Sequence, residues 1–130
     1  MAVASAELVA QEFVDALAAQ DWQRVEACFA PDARLLAAVP NDGNPLRDRV
    51  GPADATSQLA AWFGDGDPLE LEASTVEQTI GGKVHVAYRL RSFEDGAWQV
   101  VEQQGFCQIG DEGIERLHLS CSGVHLLDTP

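Results

Sequence analysis

The chain has 130 residues, of which 46% are hydrophobic and 22% charged, a balance typical of one globular domain spanning residues 1–130. Its formal net charge of −13 makes it an acidic protein and disfavours binding to nucleic acid or to anionic membranes. No apolar run approaches a membrane span, the first residues lack the basic segment of a secretory signal, and the three cysteines lack metal-like spacing, so we expect a cytoplasmic protein with no cofactor and no metal.

Two helices are predicted at the start of the chain. The first runs from about Ser5 to Ala19 and the second from Trp22 to Phe29, with Asp21 as the N-terminal cap of the second. Apolar side chains recur at spacings of three and four, which gives each helix one face for the core. On the first helix this face consists of Val9, Phe13, Ala16 and Leu17. Pro31 then ends the second helix.

A short strand, a loop and a third helix follow. The strand, Ala33 to Val39, is apolar on both faces and should not lie at a solvent-exposed edge. Pro40 to Val50 is rich in turn-forming residues and is predicted to be a surface loop. Gly51 and Pro52 begin the third helix and Gly64 ends it, which is the usual asymmetry of helix ends. The buried stripe of this helix consists of Ala55, Leu59, Trp62 and Phe63.

The second half of the chain predicts four antiparallel strands. Leu69 to Ile80 is the first, and a Gly81-Gly82 turn leads into a three-stranded meander from Lys83 to Cys121. Asp95-Gly96 provides a two-residue hairpin turn and Asp111-Glu112-Gly113 a three-residue turn. Helices followed by antiparallel strands indicate an α+β fold, with the helices on one face of a curved sheet.

The two turns set the register of the meander. Tyr88 then lies opposite Gln103, and Gln103 lies opposite Cys121, so the three form one polar row. Val86 and Leu90 share the face of this row, and an apolar face should meet the helices. We therefore assign the row to the interior, an assignment that a β-bulge would partly reverse.

Short motifs at the turns and helix ends carry a family resemblance: Phe13-Val14-Asp15-Ala16-Leu17, Asp21-Trp22, Phe29-Ala30-Pro31-Asp32-Ala33, Gly51-Pro52 and Cys121-Ser122-Gly123. With the element order, they resemble the nuclear transport factor 2-like superfamily, in its SnoaL-like and ketosteroid isomerase-like branch. The resemblance implies a cone of three N-terminal helices packed on a curved, mixed, mostly antiparallel sheet. This fold serves enzymes, carriers and dimerisation modules, so it leaves the function open.

In such a cone we expect a pocket for a small apolar ligand. The ligand-binding residues are predicted to be Tyr88, Gln103, Cys121, Phe13, Trp62 and Val86, with Leu17, Ala37, Val39 and Phe63 completing the wall. In the alternative, Tyr88 and Gln103 satisfy one another in a closed core. An open cavity that reaches the two residues favours the first interpretation, and a filled interior favours the second.

The outer face of the sheet suits contact with a second subunit, as the resemblance also implies. We expect a homodimer through this face, formed by Val100, Phe106, His85 and His118. The two histidines are not predicted to bind metal, because no third ligand accompanies them and a strand holds their rings apart.

The catalytic groups that the resemblance implies are not evident. Ketosteroid isomerase chemistry needs a tyrosine, a carboxylate base and a neutral aspartic acid, and the resemblance places these positions at Phe13, near Ala37 and near Gly105, respectively. The Arg and Asp of an epoxide hydrolase, the His–Asp pair of a dehydratase and the acid of a cyclase also have no inward counterpart. Cys107 and Cys121 lack a base, which favours a structural role. An isomerase, cyclase or dehydratase of unidentified chemistry stays an alternative, as does a partner-binding module without ligand.

Two basic residues of the predicted loop allow two interpretations. Arg47 and Arg49 are conspicuous because the chain has only eight lysines and arginines. Near the mouth of the pocket they could attract an anionic ligand, or they could pair with Asp42 and Asp48, which we favour.

Overall fold

The computed structural model describes residues 3–38, 46–64, 69–94, 96–122 and 125–126. Along the chain the elements are α1 (Val3–Ala18), α2 (Trp22–Ala27), β1 (Phe29–Ala38), β2 (Leu46–Val50), α3 (Pro52–Phe63), β3 (Leu69–Gln78), β4 (Val84–Glu94), β5 (Ala97–Gly110), β6 (Gly113–Cys121) and β7 (His125–Leu126). A 3₁₀ turn, Ile80–Gly82, joins β3 to β4. The fold is α+β, as the sequence predicts.

The strands form one mixed sheet with the helices packed on its inner face. The strand order is β2-β1-β6-β5-β4-β3, and β7 pairs with β5. The pair β1–β6 is parallel and the other pairs are antiparallel. Inward side chains of both layers make the core, whose largest fully buried members include Phe13, Leu17, Leu35, Leu59, Val86 and Leu117.

Each helix end has a local cause. The carboxylate of Asp21 accepts a hydrogen bond from the main-chain N–H of Arg24 at 3.3 Å, which caps α2 as predicted. Gly51 precedes α3 with a φ of 92°, and Pro52 occupies the first turn. At the far end, the N–H of Gly64 donates to the carbonyl of Ala60 at 2.7 Å.

Two predictions between α2 and α3 are wrong. The second helix ends at Ala27, because the carbonyl of Cys28 accepts a hydrogen bond from Ile114 N–H (2.8 Å) and the chain enters β1 at Phe29. Residues 46–50 form the strand β2 rather than a loop, paired along β1. The strand β1 lies between β2 and β6, away from the edge, as its composition predicts. The predicted loop residues 40–45 lie outside the described residues.

The register of the meander is confirmed. Tyr88 pairs with Gln103 and Gln103 with Cys121, on the inner face of the sheet. A register shift between Gln108 and Ile109 changes only the end of the second hairpin. There Gly110 pairs with Gly113, so the turn consists of two residues, Asp111 and Glu112, rather than the predicted three. The additional residue of β6 lies in the register shift, where it has no partner on β5.

At Gly105, the position of a side chain on β5 is occupied by the main chain of the neighbouring strand β6. A Cβ atom placed on this residue would lie 1.7 Å from the carbonyl oxygen of His118 on the neighbouring strand β6. Only a residue without a side chain fits such an approach. Because Gly105 has no side chain, the main chains of β5 and β6 can pack closely at this point.

Among the described residues, no helix is both long and apolar enough to cross a membrane.

Candidate ligand-binding site

The centre of the inner sheet face carries one buried polar pair. Tyr88 on β4 donates its hydroxyl hydrogen to Oε1 of Gln103 on β5, with 2.6 Å between the oxygens. The two side chains are only 3% and 2% exposed, respectively. The antiparallel register brings the two residues together, since directly opposed side chains share a face.

The pair is neutral but incompletely satisfied. Burial, with smaller contributions from Cys107 and Cys121, raises the pKa of Tyr88 well above its ordinary value, so the phenol keeps its proton. Nε2 of Gln103 is buried and has no hydrogen-bond partner among the residues described. Reversing the amide would only exchange the unpartnered nitrogen for an unpartnered oxygen. One amide atom thus remains available at the centre of the sheet.

Aromatic and aliphatic groups enclose the pair. The ring of Phe13 on α1 meets the ring of Tyr88 edge-on, with 6.4 Å between centroids, and Val86 is fully buried on the same sheet face. Trp62 is partly buried, and in the described parts its ring contact is with Phe63 rather than with Phe13 or Tyr88. Of the remaining predicted wall, Leu17, Ala37 and Phe63 are buried, and Val39 lies outside the described residues.

The polar row becomes more accessible toward β6. Cys121 lies opposite Gln103 and is partly exposed, whereas Tyr88 and Gln103 are enclosed. The described side chains therefore pack the interior closely around the pair, which agrees with the closed-core alternative except that Nε2 of Gln103 is left without a partner. A ligand that reaches the unpartnered amide would approach from the Cys121 end.

In the described interior, the ionisable side chains that act on Tyr88 are the thiols of Cys107 and Cys121. Phe13, Ala37 and Gly105, the positions that the resemblance assigned to isomerase catalytic groups, are buried. Burial raises the pKa of Cys107 to about 12 and that of Cys28 to about 11, so both thiols stay protonated near neutral pH. No group of three or more potential metal ligands occurs within the described ranges.

The strand β2 brings an unexpected polar group to the inner face. Arg49 lies opposite the buried Leu35, and its Nη2 donates to Oε1 of Gln58 on α3 at 2.9 Å. Of the two predicted acid partners, Asp42 lies outside the described residues, and Asp48 accepts its two hydrogen bonds from Arg34, at 2.6 and 2.9 Å, on the outer face. These bonds are the main cause that lowers the pKa of Asp48, and the charge of Arg49 is a smaller one. The sequence contained a signal for this strand, the alternation over 46–50, but its two arginines point inward and its two apolar residues outward.

The outer sheet face is open and locally mixed in charge. Phe106 is 47% exposed and its ring centroid lies 5.2 Å from that of His85. Arg89 bonds to Glu102 across the same face, with 2.8 Å between Nη2 and Oε1. Next to them, small side chains leave a groove of about 340 Å³, lined on this face by Ala73, Thr75, Ala87, Arg89, Glu102, Gln104, Ser120 and Ser122.

Comparisons with known proteins agree with the α+β fold described above. The family described as SnoaL-like domain matches residues 10–116, whereas no curated protein sequence matches the chain. A proposed polyketide cyclase from Xanthomonas campestris pv. campestris is 21% identical, with 88% of each chain covered and a TM-score of 0.69. A proposed isomerase from Bacillus subtilis is 15% identical, with 94% of this chain and 90% of that chain covered and a TM-score of 0.77.

A third similar structure is a proposed ketosteroid isomerase from Kribbella flavida. It is 18% identical, covers 96% of this chain and 82% of its own, and has a TM-score of 0.64. At these identities the likeness concerns the fold, whereas the family match concerns the sequence of most of the chain. The chain therefore belongs to the SnoaL-like domain family and has a nuclear transport factor 2-like fold.

Proposed function

We propose that the protein binds a small, largely apolar ligand that carries a carbonyl oxygen, inside the cone at Tyr88 and Gln103. The observation behind the proposal is the buried, unpartnered Nε2 of Gln103. A buried donor without an acceptor costs about 1–3 kcal/mol, and a ligand oxygen placed against it would recover this energy. The aliphatic and aromatic surroundings favour an apolar body for the ligand.

The character of the pair favours binding over acid–base chemistry. Tyr88 is neutral and Gln103 does not ionise, so together they can orient a carbonyl group but cannot remove a proton from its neighbour. The proposed cyclase and isomerases among the similar structures support a ring- or carbonyl-bearing ligand. A cytoplasmic location agrees with the buried thiols of Cys28 and Cys107.

Replacing the pair tests this function. In a thermal-shift screen of apolar ketones, lactones and polyketide fragments, we expect compounds that stabilise the wild-type protein to bind Gln103→Leu about tenfold more weakly, because the amide donor is lost. The double variant Tyr88→Phe/Gln103→Leu removes both polar partners, so it should fold with nearly unchanged stability and also lose binding.

The matched control is Gln104→Leu, since Gln104 is the next residue on β5 but is exposed on the outer face. This variant should bind every stabilising compound like the wild-type protein. Unchanged affinity of the double variant for all of these compounds would show that the proposed site is wrong.

A second candidate function is homodimerisation through the outer sheet face, supported by the exposure of Phe106. The net charge of −13 opposes self-association over most of the surface. The outer face differs, because Arg89 is bonded there to Glu102 and the two histidines His85 and His118 flank Phe106. A second copy of the chain could therefore pack there with little repulsion.

Sedimentation velocity tests the dimer. If the outer face is the interface, Phe106→Glu should weaken self-association at least about tenfold, because it removes the apolar contact and brings one more negative charge of each acidic copy into the interface. Ile80→Glu is the control, since Ile80 is 96% exposed on the 3₁₀ turn outside this face. A wild-type protein that sediments as a monomer at high micromolar concentration contradicts the proposal.

A further inference from the structure

The edge strand β2 carries an arginine that faces the interior of the cone. Arg49 pairs with Leu35 of β1, which is fully buried, and directly opposed residues point to the same side of a sheet. Its guanidinium is fixed by the side-chain oxygen of Gln58, a nearly buried residue of α3. Arg49 is therefore held in place at the rim of the inner face.

Arg49 differs from four other arginines of the chain in the partners of its guanidinium group. Arg24, Arg34, Arg89 and Arg91 each bond to a carboxylate, with N–O distances between 2.6 and 2.8 Å. Within the described parts of the chain, Arg49 makes no hydrogen bond to a carboxylate, although its charge helps to lower the pKa of Asp48, and its hydrogen bonds go to two neutral oxygens, Oε1 of Gln58 and the main-chain carbonyl of Asp48.

The absence of an acid partner matters because of the overall charge. The chain holds 21 acidic and eight basic residues, so carboxylates are abundant and an arginine could easily acquire one. A guanidinium has five N–H donors in a planar fork that matches a carboxylate. The guanidinium of Arg49 is thus held in a position to donate hydrogen bonds to a carboxylate of another molecule.

The strand order and register give the distance between Arg49 and the Tyr88–Gln103 pair. Both lie on the inner face, and three strand spacings separate β5, which carries Gln103, from β2, which carries Arg49. Three strand spacings are about 14 Å, and the register offsets Arg49 from the row of Gln103 by four residues, about a further 13 Å, so the two Cα atoms lie roughly 19 Å apart. The apolar side chains of the inner face between them are buried in the core, namely Leu35, Ala37, Leu117 and Leu119.

We infer that the ligand of the protein is an amphipathic carboxylate whose anionic end Arg49 binds at the rim, with its carbonyl oxygen at Gln103 once the close-packed side chains between the two residues move apart. The position of the carbonyl end rests on the proposed function, whereas the anionic end rests on Arg49 and Gln58 alone. A single fixed guanidinium suits one carboxylate, which it can bind through two parallel hydrogen bonds.

Calorimetric titration with an oxo fatty acid of about ten carbons and with its methyl ester tests the inference. The wild-type protein should bind the acid at least about tenfold more tightly than the ester at low salt, because a charge-assisted bidentate contact is lost in the ester. Arg49→Gln should remove this preference, and Arg49→Lys should keep part of it. Arg34→Gln is the matched control, since Arg34 lies on the outer face of the same strand pair, and it should keep the preference entirely.

The outcomes separate the two proposals. Equal binding of acid and ester by the wild-type protein, or an acid preference that survives in Arg49→Gln, overturns the carboxylate site. If the preference depends on Arg49 but Gln103→Leu binds both compounds like the wild-type protein, the carbonyl site is wrong and the carboxylate site stands. If neither compound binds the wild-type protein, both proposals fail.

Discussion

Gly105→Ala is expected to lower the free energy of unfolding by about 3 kcal/mol, measured by urea denaturation. The added methyl group would meet the carbonyl oxygen of His118 at 1.7 Å, and this oxygen belongs to the main chain of β6, not to a flexible side chain. Either the two strands separate or their hydrogen bonds distort, and both changes disturb the sheet at its centre.

Gly81→Ala is the control for this variant. Gly81 has a φ of 78°, but a Cβ atom there would have no heavy atom within 4 Å. The left-handed conformation alone should cost about 1 kcal/mol. An equal loss in the free energy of unfolding for the two variants would contradict the close contact between Gly105 and the main chain of His118.

Phe13→Ala is expected to lower the free energy of unfolding by about 4 kcal/mol. The ring of Phe13 is fully buried and meets the rings of Phe29 and Tyr88 edge-on, at centroid distances of 5.9 and 6.4 Å. Its removal leaves a cavity beside the Tyr88–Gln103 pair, since α1 cannot move inward without losing its other contacts. Urea denaturation measures the loss.

A second measurement tests whether the cavity lies in an apolar interior. Benzene should raise the melting temperature of Phe13→Ala, because dry apolar cavities of this kind bind small aromatic molecules, and it should leave the wild-type protein unchanged. Phe93→Ala serves as the control, since Phe93 is half exposed and should lose only about 1 kcal/mol without any benzene effect. Equal losses in the two variants would contradict the central position of Phe13.

The sequence was most informative where local chemistry determines geometry. A hairpin turn fixes which residues face each other, so two turns were enough to place Tyr88 opposite Gln103 and Gln103 opposite Cys121. The one irregularity, between Gln108 and Ile109, lies beyond these pairs and so did not disturb them. The central polar row was therefore predictable from one meander.

The strand β2 could not be predicted in the same way. A strand is recognised when apolar residues alternate toward the core, but here Arg47 and Arg49 face inward, while Leu46 and Val50 are exposed. The strand exists because β1 offers it a partner and because Arg34 binds Asp48 across the pair. Both causes are non-local, and the hydrogen bond from Arg49 to Gln58 depends on them.

The sequence also could not show whether the polar pair is fully satisfied. The register brings Tyr88 and Gln103 together, but it does not say whether the second amide atom of Gln103 meets a partner in the folded core. In the structure, Nε2 of Gln103 is buried without one among the described residues. The candidate site was thus predictable as a position, and its chemistry emerged only from the tertiary structure.

The strand order has a consequence for the behaviour of the protein in solution. In the described sheet, β2 and β3 are the outermost strands, and exposed edges of this kind can recruit strands from other molecules. The edge β3 carries Glu70, Glu72 and Glu77 and is interrupted by a register shift after Leu71, features that discourage such stacking. The net charge of −13 adds repulsion between copies of the chain, and this repulsion disappears at the isoelectric point of about 4.3. Near that pH, aggregation through the sheet edges should limit the concentration of the protein.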